Sequence, residues 1–127
     1  MKRDMDLIRE LLLKLEALPL QPSDVAYIYS DVVPVDGYNA HQIDYHLQLL
    51  EQAGLVDAGG LGGGEGPGIA FSRLSWAGHD FLDAVRSPDV WDRTKQVTST
   101  AGGFTVDLLV FAAKTYIEGK IKGLIGG

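Results

Sequence analysis

The 127-residue sequence contains no cysteine, which excludes disulfide bridges, thiolate metal sites and cysteine nucleophiles. Long hydrophobic runs are also missing. The longest one, Leu108 to Ala113, is far shorter than the roughly 20 apolar residues that span a bilayer. The N-terminus has no apolar signal-peptide core, since it runs directly into a charged amphipathic pattern. We therefore expect a cytoplasmic protein that has no membrane partner.

Basic residues are missing from the middle of the chain. No Lys or Arg occurs between Lys14 and Arg73, and the net charge of the whole chain is −6. The same stretch contains eight acidic residues: Glu16, Asp24, Asp31, Asp36, Asp44, Glu51, Asp57 and Glu65. Contacts from Lys and Arg to phosphates supply most of the non-specific affinity for DNA. The charge pattern therefore disfavours binding of a nucleic acid through this stretch.

What is present is an alternation of helical and strand patterns. Apolar residues recur every three or four positions in five segments, which predicts helices at Asp4–Leu18, after the N-cap Asn39 as far as Gly54, at Trp76–Val85, from Ser87–Pro88 onward, and at Phe104–Leu124. β-branched and aromatic residues predict a short strand within Asp24–Val33, and a hairpin of Leu55–Val56 with Ile69–Leu74. Helices and a hairpin in this order are typical of a winged helix.

The loop between the two hairpin strands, residues 57–68, is rich in glycine. A phosphate-binding loop needs Gly-Lys-Ser/Thr or a Gly-rich turn that leads into a helix. This loop has no lysine, contains Glu65, and leads into a strand. The pattern therefore favours a wing tip over a nucleotide site, and we expect no cofactor.

Several motifs resemble those of bacterial winged-helix proteins. Tyr45-His46-Leu47-x-Leu49-Leu50-x-x-Ala53-Gly54-Leu55-Val56 looks like a recognition helix that enters the first wing strand, and Leu74-Ser75-x-x-Gly78-His79-x-x-Leu82 looks like the return strand and the next helix. Together with Met1–Arg9 and Val90-Trp91-x-x-Thr94-Lys95, they make the chain resemble the bacterial and phage family called domain of unknown function 2513 over essentially its whole length. The resemblance implies a small winged-helix fold with a C-terminal helix, common near mobile elements. It implies no known activity, ligand or site, and the glycine loop at 59–68 is longer than the turn expected there.

We predict an α+β, mainly α fold, with a winged helix-turn-helix-like domain and a β-hairpin wing at 1–97, a linker at 98–103 and an appended C-terminal helix at 104–127. The last helix is apolar over most of its girth, so it must be buried against its own domain or against another copy of the chain. The residues that we expect to mediate oligomerisation are Val106, Leu109, Val110, Phe111, Ala113 and Ile117.

The titratable side chains suggest no closed catalytic site. His41 and Asp44 share one helix face, whereas His46 lies off it, and two ligands do not close a metal site. A metal site that joins His46, His79 and an acid stays open as an alternative to two partly buried, hydrogen-bonded histidines. We expect no catalytic residue, no metal and no enzyme activity.

The leading hypothesis is a non-enzymatic protein-interaction module of bacterial or phage origin that self-associates through its last helix. The predicted interaction surface combines aromatic and uncharged polar residues: Tyr27, Tyr29, Tyr38, Asn39, His41, Gln42, Tyr45 and Gln48. The alternative is a dimeric DNA-binding transcriptional regulator, in which a dimer brings Lys2, Arg3, Arg9 and Arg73 together.

Overall fold

The structure is a computed structural model that describes residues 1–61, 66–100 and 105–125. Its elements follow the order α1 (Met5–Glu16), β1 (Ala26–Ile28), α2 (Ala40–Gln52), β2 (Val56–Asp57), β3 (Ile69–Phe71), β4 (Arg73–Leu74), α3 (Trp76–Val85), α4 (Pro88–Thr100) and α5 (Val106–Ile125). This part of the chain is mainly helical with short antiparallel strands, which confirms the α+β, mainly α class. None of the described helices has the length and apolar content that crossing a bilayer requires.

The chain forms two compact units, Met1–His79 and Asp80–Gly127. The predicted division into a domain at 1–97, a linker at 98–103 and a C-terminal helix at 104–127 stays a prediction. The structure places 98–100 inside α4, and the rest of the predicted linker lies outside the described residues.

Local capping sets the helix ends of the first unit. The carboxylate of Asp4 accepts hydrogen bonds from the backbone N–H groups of Asp6 and Leu7, at 2.9 and 3.3 Å, and starts α1. Asn39 and Gln42 form a reciprocal capping box at the start of α2. Gly54, with φ of +71°, follows the end of α2 in the left-handed conformation. The structure confirms Asn39 as the N-cap, whereas the C-cap is Ala53 and not the predicted Gly54, which follows it in the left-handed conformation.

The predicted return strand Ile69–Leu74 is interrupted at Ser72, so it pairs with two different partners. β3 lies antiparallel to β1, with Ala26 opposite Phe71, and β4 lies antiparallel to β2, with Val56 opposite Leu74. Ser72 donates its backbone N–H to the Asp57 carbonyl at 2.8 Å and its hydroxyl to the Asp24 carbonyl at 2.8 Å. The prediction of one hairpin strand was therefore incomplete, because Ser72 moves the chain from one partner strand to the other.

The core of the first unit lies between α1, α2 and the strands. Its buried apolar residues are Met5, Leu7, Ile8, Leu11, Leu12, Leu15, Ile28, Val33, Ile43, Leu47, Leu50, Leu55, Val56, Ile69, Ala70, Phe71 and Leu74. The hydroxyl of Ser75 accepts from the Gly78 N–H at 3.0 Å and donates to the Gly54 carbonyl, which fixes the start of α3. Gly78 approaches the Leu55 carbonyl so closely that a Cβ there would overlap it. A glycine is therefore required at this point of α3.

The second unit contains α4 and α5, which pack along each other. Val90, Trp91 and Thr94, predicted along α4, are all buried. Leu109 and Ala113 are the buried residues of α5. Ile121 and Leu124 belong to the predicted apolar stripe of this helix but are exposed. We predicted that this helix is buried. Within the described chain, only one face of its first half is buried, because α4 packs against that face.

Candidate functional site

The eight residues of the predicted interaction surface fall into two groups. Tyr27 and Tyr29 are each 42% exposed, and their ring centroids lie 5.2 Å apart. Tyr27 also shares a cleft of about 270 Å³ with Gln48. The described residues that line it are Tyr27, Gln48, Glu51, Gln52, Gly66, Gly68, Ile69 and Ala70. The structure thus brings three of the predicted residues together, and we call this group the α2 cleft (the lining residues and Tyr29).

Glycines hold the end of the loop against the rim of the α2 cleft. The side-chain amide of Gln48 donates to the Gly66 carbonyl at 3.2 Å. Gly68 has φ of +83°, and a Cβ there would meet the Ile28 carbonyl and, at 3.1 Å, the Tyr29 ring. The described end of the loop therefore contributes backbone surface to the cleft. No Lys or Arg lies among the residues that line it.

The second group lies at the start of α2, where most of its polar atoms are already engaged. Tyr38 donates its hydroxyl to the Asp4 carboxylate at 2.8 Å, and Asn39 and Gln42 cap the helix together. His41 is exposed, and Tyr45 is half-buried with its ring edge-on to His46. The main role of this group in the structure is to connect the start of α1 to the start of α2, because most of its hydrogen-bonding atoms already have partners.

Burial raises the pKa of Tyr38 to about 12, and the hydrogen bond to Asp4 and the charges of Asp4, Asp6 and Glu10 act in the same direction. The phenol therefore stays protonated as the donor in this contact throughout the physiological pH range.

His46 is buried and has a hydrogen-bond partner at each ring nitrogen. Its Nε2 accepts from the backbone N–H of Asp4 at 2.8 Å, so its Nδ1 carries the proton that is donated to the Gln42 carbonyl at 2.7 Å. The ring is the neutral Nδ1–H tautomer, and its lone pair is occupied. His79 is exposed. The structure thus does not form the alternative metal site with His46 and His79, and no cluster of three His, Cys, Asp or Glu side chains able to hold a metal occurs within the described ranges.

A second cleft, which sequence reasoning missed, lies between α4 and α5. Its volume is about 390 Å³, and it is lined by Arg93, Thr94, Val97, Thr98, Leu108, Phe111, Ala112, Thr115 and Tyr116. Nearby, Lys120 and Tyr116 bind the Asp89 carboxylate at 2.6 and 3.1 Å. These two hydrogen bonds, with the Lys120 charge, lower the pKa of Asp89. The sequence signal for this cleft was Thr94, a polar residue on the same predicted helix face as the apolar Val90 and Trp91.

The predicted oligomerisation residues differ in their accessibility. Leu109 and Ala113 are completely buried in this chain, whereas Phe111 is 69% exposed on the α4–α5 cleft. Val106, Val110 and Ile117 are half-buried. Only the last four therefore present surface to another molecule, and their role stays a prediction.

Comparison with known proteins identifies a matching family and a bacterial relative. The model of the family described as hypothetical protein (DUF2513) matches residues 2–104. An uncharacterized protein from Haemophilus influenzae is 32% identical over 119 residues, which cover 93% of this chain and 97% of that protein. No solved structure matches the chain.

Proposed function

We propose a function for this chain, which belongs to the DUF2513 family: it is a non-enzymatic, cytoplasmic winged-helix module that binds a protein partner and self-associates through α5. The order α1–β1–α2–β2–β3–β4 supports the winged-helix part of the proposal. In a winged helix, the helix before the hairpin presents one face to the ligand, and α2 occupies this position. The bacterial relative supports a bacterial or phage origin.

The observation that carries the proposal is the α2 cleft beside an exposed tyrosine pair. Tyrosines are enriched at protein interfaces because one side chain offers both a large apolar ring and a hydroxyl. Tyr27 and Tyr29 keep 42% of their surface exposed while contacting each other. The cleft beside them adds amide groups of Gln48 and Gln52. A protein surface can use both kinds of group.

The positions of the basic residues favour this partner over DNA. Arg9 is buried and bridges Glu10 at 3.3 Å, and Arg73 lies 3.6 Å from Asp57. A dimeric regulator would thus have to bind phosphates with Arg9 and Arg73, which already form ion pairs with acidic residues of the same chain. Because phosphate contacts hold a protein on DNA, the dimeric DNA-binding regulator is the weaker proposal.

Site-specific photocrosslinking in living cells tests the partner. A benzophenone amino acid placed at Tyr29 should crosslink to one defined protein, and Tyr27→Ser in the same chain should abolish this product. The matched control carries the crosslinker at Trp76, which is 85% exposed, and should give a different pattern or none. Absence of any product specific to Tyr29 would remove the proposed partner surface.

A salt titration of DNA binding distinguishes the dimeric DNA-binding regulator from the protein-interaction module. Fluorescence anisotropy of a mixed-sequence duplex should show no binding at low salt. Binding that weakens steeply as salt rises would instead indicate several phosphate contacts and would support the regulator.

Sedimentation velocity tests self-association. Phe111→Glu should convert the oligomer to a monomer with an unchanged circular dichroism spectrum, because it places a charge on an exposed apolar site. Lys114→Glu, an exposed charge change on the same helix, should leave the oligomer intact. A wild-type chain that is monomeric at all concentrations would remove this part of the proposal.

A further inference from the structure

Thr94 is a buried polar side chain whose hydroxyl has no partner. The residue is 1% exposed, and its Oγ1 makes no hydrogen bond within the part of the chain that is described. One turn later, Thr98 is also buried but donates its hydroxyl to the Thr94 carbonyl at 2.8 Å. A buried hydroxyl without a partner costs about 1–3 kcal/mol. Such a group is rare in native proteins, and a bound molecule with an acceptor atom can supply its missing partner.

Thr94 is one of the residues that line the α4–α5 cleft. The volume of this cleft, about 390 Å³, falls within the range of roughly 300–1,000 Å³ that is usual for small-molecule sites. Val97, Leu108, Phe111 and Ala112 give it apolar walls. The hydroxyls of Thr98, Thr115 and Tyr116 are engaged by the Thr94 carbonyl, the Phe111 carbonyl and the Asp89 carboxylate. Thr94 is therefore the hydroxyl left to bind a ligand.

We propose that this cleft binds a small carboxylate with an apolar body, of the medium-chain fatty acid class, whose carboxylate accepts a hydrogen bond from Thr94 and faces Arg93. Arg93 also lines the cleft, and it precedes Thr94 in α4. A guanidinium pairs well with a carboxylate, and the apolar body fills the space against Phe111 and Leu108. The site is separate from the proposed partner surface on α2, and it shares Phe111 with the proposed self-association surface of α5.

A second copy of the chain fits this cleft less well. The exposed apolar residues that a copy would bring from the same helices, such as Phe111 and Val97, carry no hydrogen-bond acceptor. They would cover Thr94 and leave its hydroxyl without a partner. A ligand with an oxygen acceptor supplies both the apolar contact and the missing hydrogen bond.

Isothermal titration calorimetry of the full chain with decanoate, below the concentration at which it forms micelles, tests the site. The wild type should bind one decanoate saturably, and Thr94→Val should weaken binding by about tenfold or more, as expected for a lost hydrogen bond to a charged group. Ser99→Ala is the matched control, since Ser99 is an exposed residue of α4 outside the cleft lining, and it should change affinity less than twofold. Arg93→Gln should weaken decanoate but leave decanol unchanged.

The following results would overturn the proposal. One is the absence of saturable binding to the wild type. Another is an equal loss of affinity in Thr94→Val and Ser99→Ala, since the Thr94 hydroxyl would then not be the determinant. A third is a set of NMR shifts induced by decanoate outside α4 and α5. Crosslinking from Tyr29, which lies outside this cleft, and sedimentation of the wild type report separately on the proposed interaction module, so its failure would be seen independently.

Discussion

The two units differ in how they treat their buried polar groups. In the unit Met1–His79, His46 is 1% exposed and both of its ring nitrogens are hydrogen-bonded. In the unit Asp80–Gly127, Thr94 is equally buried, and its hydroxyl has no partner among the described residues. The first unit satisfies its central polar side chain internally. The second unit leaves a group that another molecule can satisfy, so the two units are suited to different tasks.

Glycines show the same contrast within helices. Gly78, in α3, lies against the Leu55 carbonyl, whereas Gly119, in α5, has no neighbour among the described residues within 4 Å of the position where a Cβ would lie. The first unit is therefore closely packed around Gly78, whereas the second unit has open space beside Gly119.

Replacement of these two glycines should give the largest difference between the units. Gly78→Ala forces α3 away from the Leu55 carbonyl and should lower the free energy of unfolding by about 3 kcal/mol or more. Gly119→Ala should raise it by about 0.5–1 kcal/mol, because alanine favours a helix. Urea denaturation followed by circular dichroism measures both. A cost below about 1 kcal/mol at Gly78 would contradict the close packing.

Removal of the buried imidazole should have the next largest effect. His46→Leu keeps the apolar volume but leaves the Asp4 N–H without its partner and removes the side-chain hydrogen bond to the Gln42 carbonyl, which should cost about 1–3 kcal/mol. The control is His79→Leu on the exposed histidine, which should change stability by no more than about 0.5 kcal/mol. Similar losses in both variants would mean that the hydrogen bonds of His46 contribute little.

Substitution of the threonines in α4 should produce changes of opposite sign. Thr94→Val removes an unpartnered buried hydroxyl and should raise the free energy of unfolding by up to about 1 kcal/mol without ligand. Thr98→Val removes a hydroxyl that is hydrogen-bonded and should lower it by about 1 kcal/mol. Thermal denaturation of the ligand-free chain checks the signs. A loss in both variants would show that Thr94 has a partner in solution.

Alkaline titration should give the smallest effect. The pKa of Tyr38 is raised to about 12, whereas that of an unfolded tyrosine is about 10. The folded state therefore favours the protonated phenol, and this contribution to stability is complete below about pH 10 and is lost as the pH rises towards 12. Absorbance at 295 nm should show a late-titrating tyrosine that disappears in Tyr38→Phe. Asp4→Asn should move its titration to lower pH, and an unchanged curve in both variants would argue against this assignment.

Local sequence signals were enough to predict most of the first unit. Asn39, Gly54 and Ser75 mark helix ends through contacts made within a few residues, and such contacts can be inferred from the sequence. The interruption at Ser72 could not be predicted, because it depends on bonds to Asp24 and Asp57 from other segments. Burial of Ile43 and Leu50 followed directly from helical spacing.

The candidate sites were predicted less completely. Tyr27 and Gln48 were assigned to one surface from residue type alone, and they do share a cleft. The cleft between α4 and α5 was missed, because an unpartnered hydroxyl at Thr94 becomes visible only when all its neighbours are placed. The exposure of Phe111 was also out of reach, since a helix that is apolar on most sides does not reveal which side another element covers.

The division of Ile69–Leu74 between two partner strands has a consequence during protein synthesis. Ala26 pairs with Phe71, and Ile28 with Ile69, so β1 finds its partner only after more than half of the chain has been made. At about 5–20 residues per second, β4, which packs against α1, is made several seconds after that helix. The helices α4 and α5 follow each other closely and need no such delay. We therefore expect the nascent first unit to be the part that depends on chaperones.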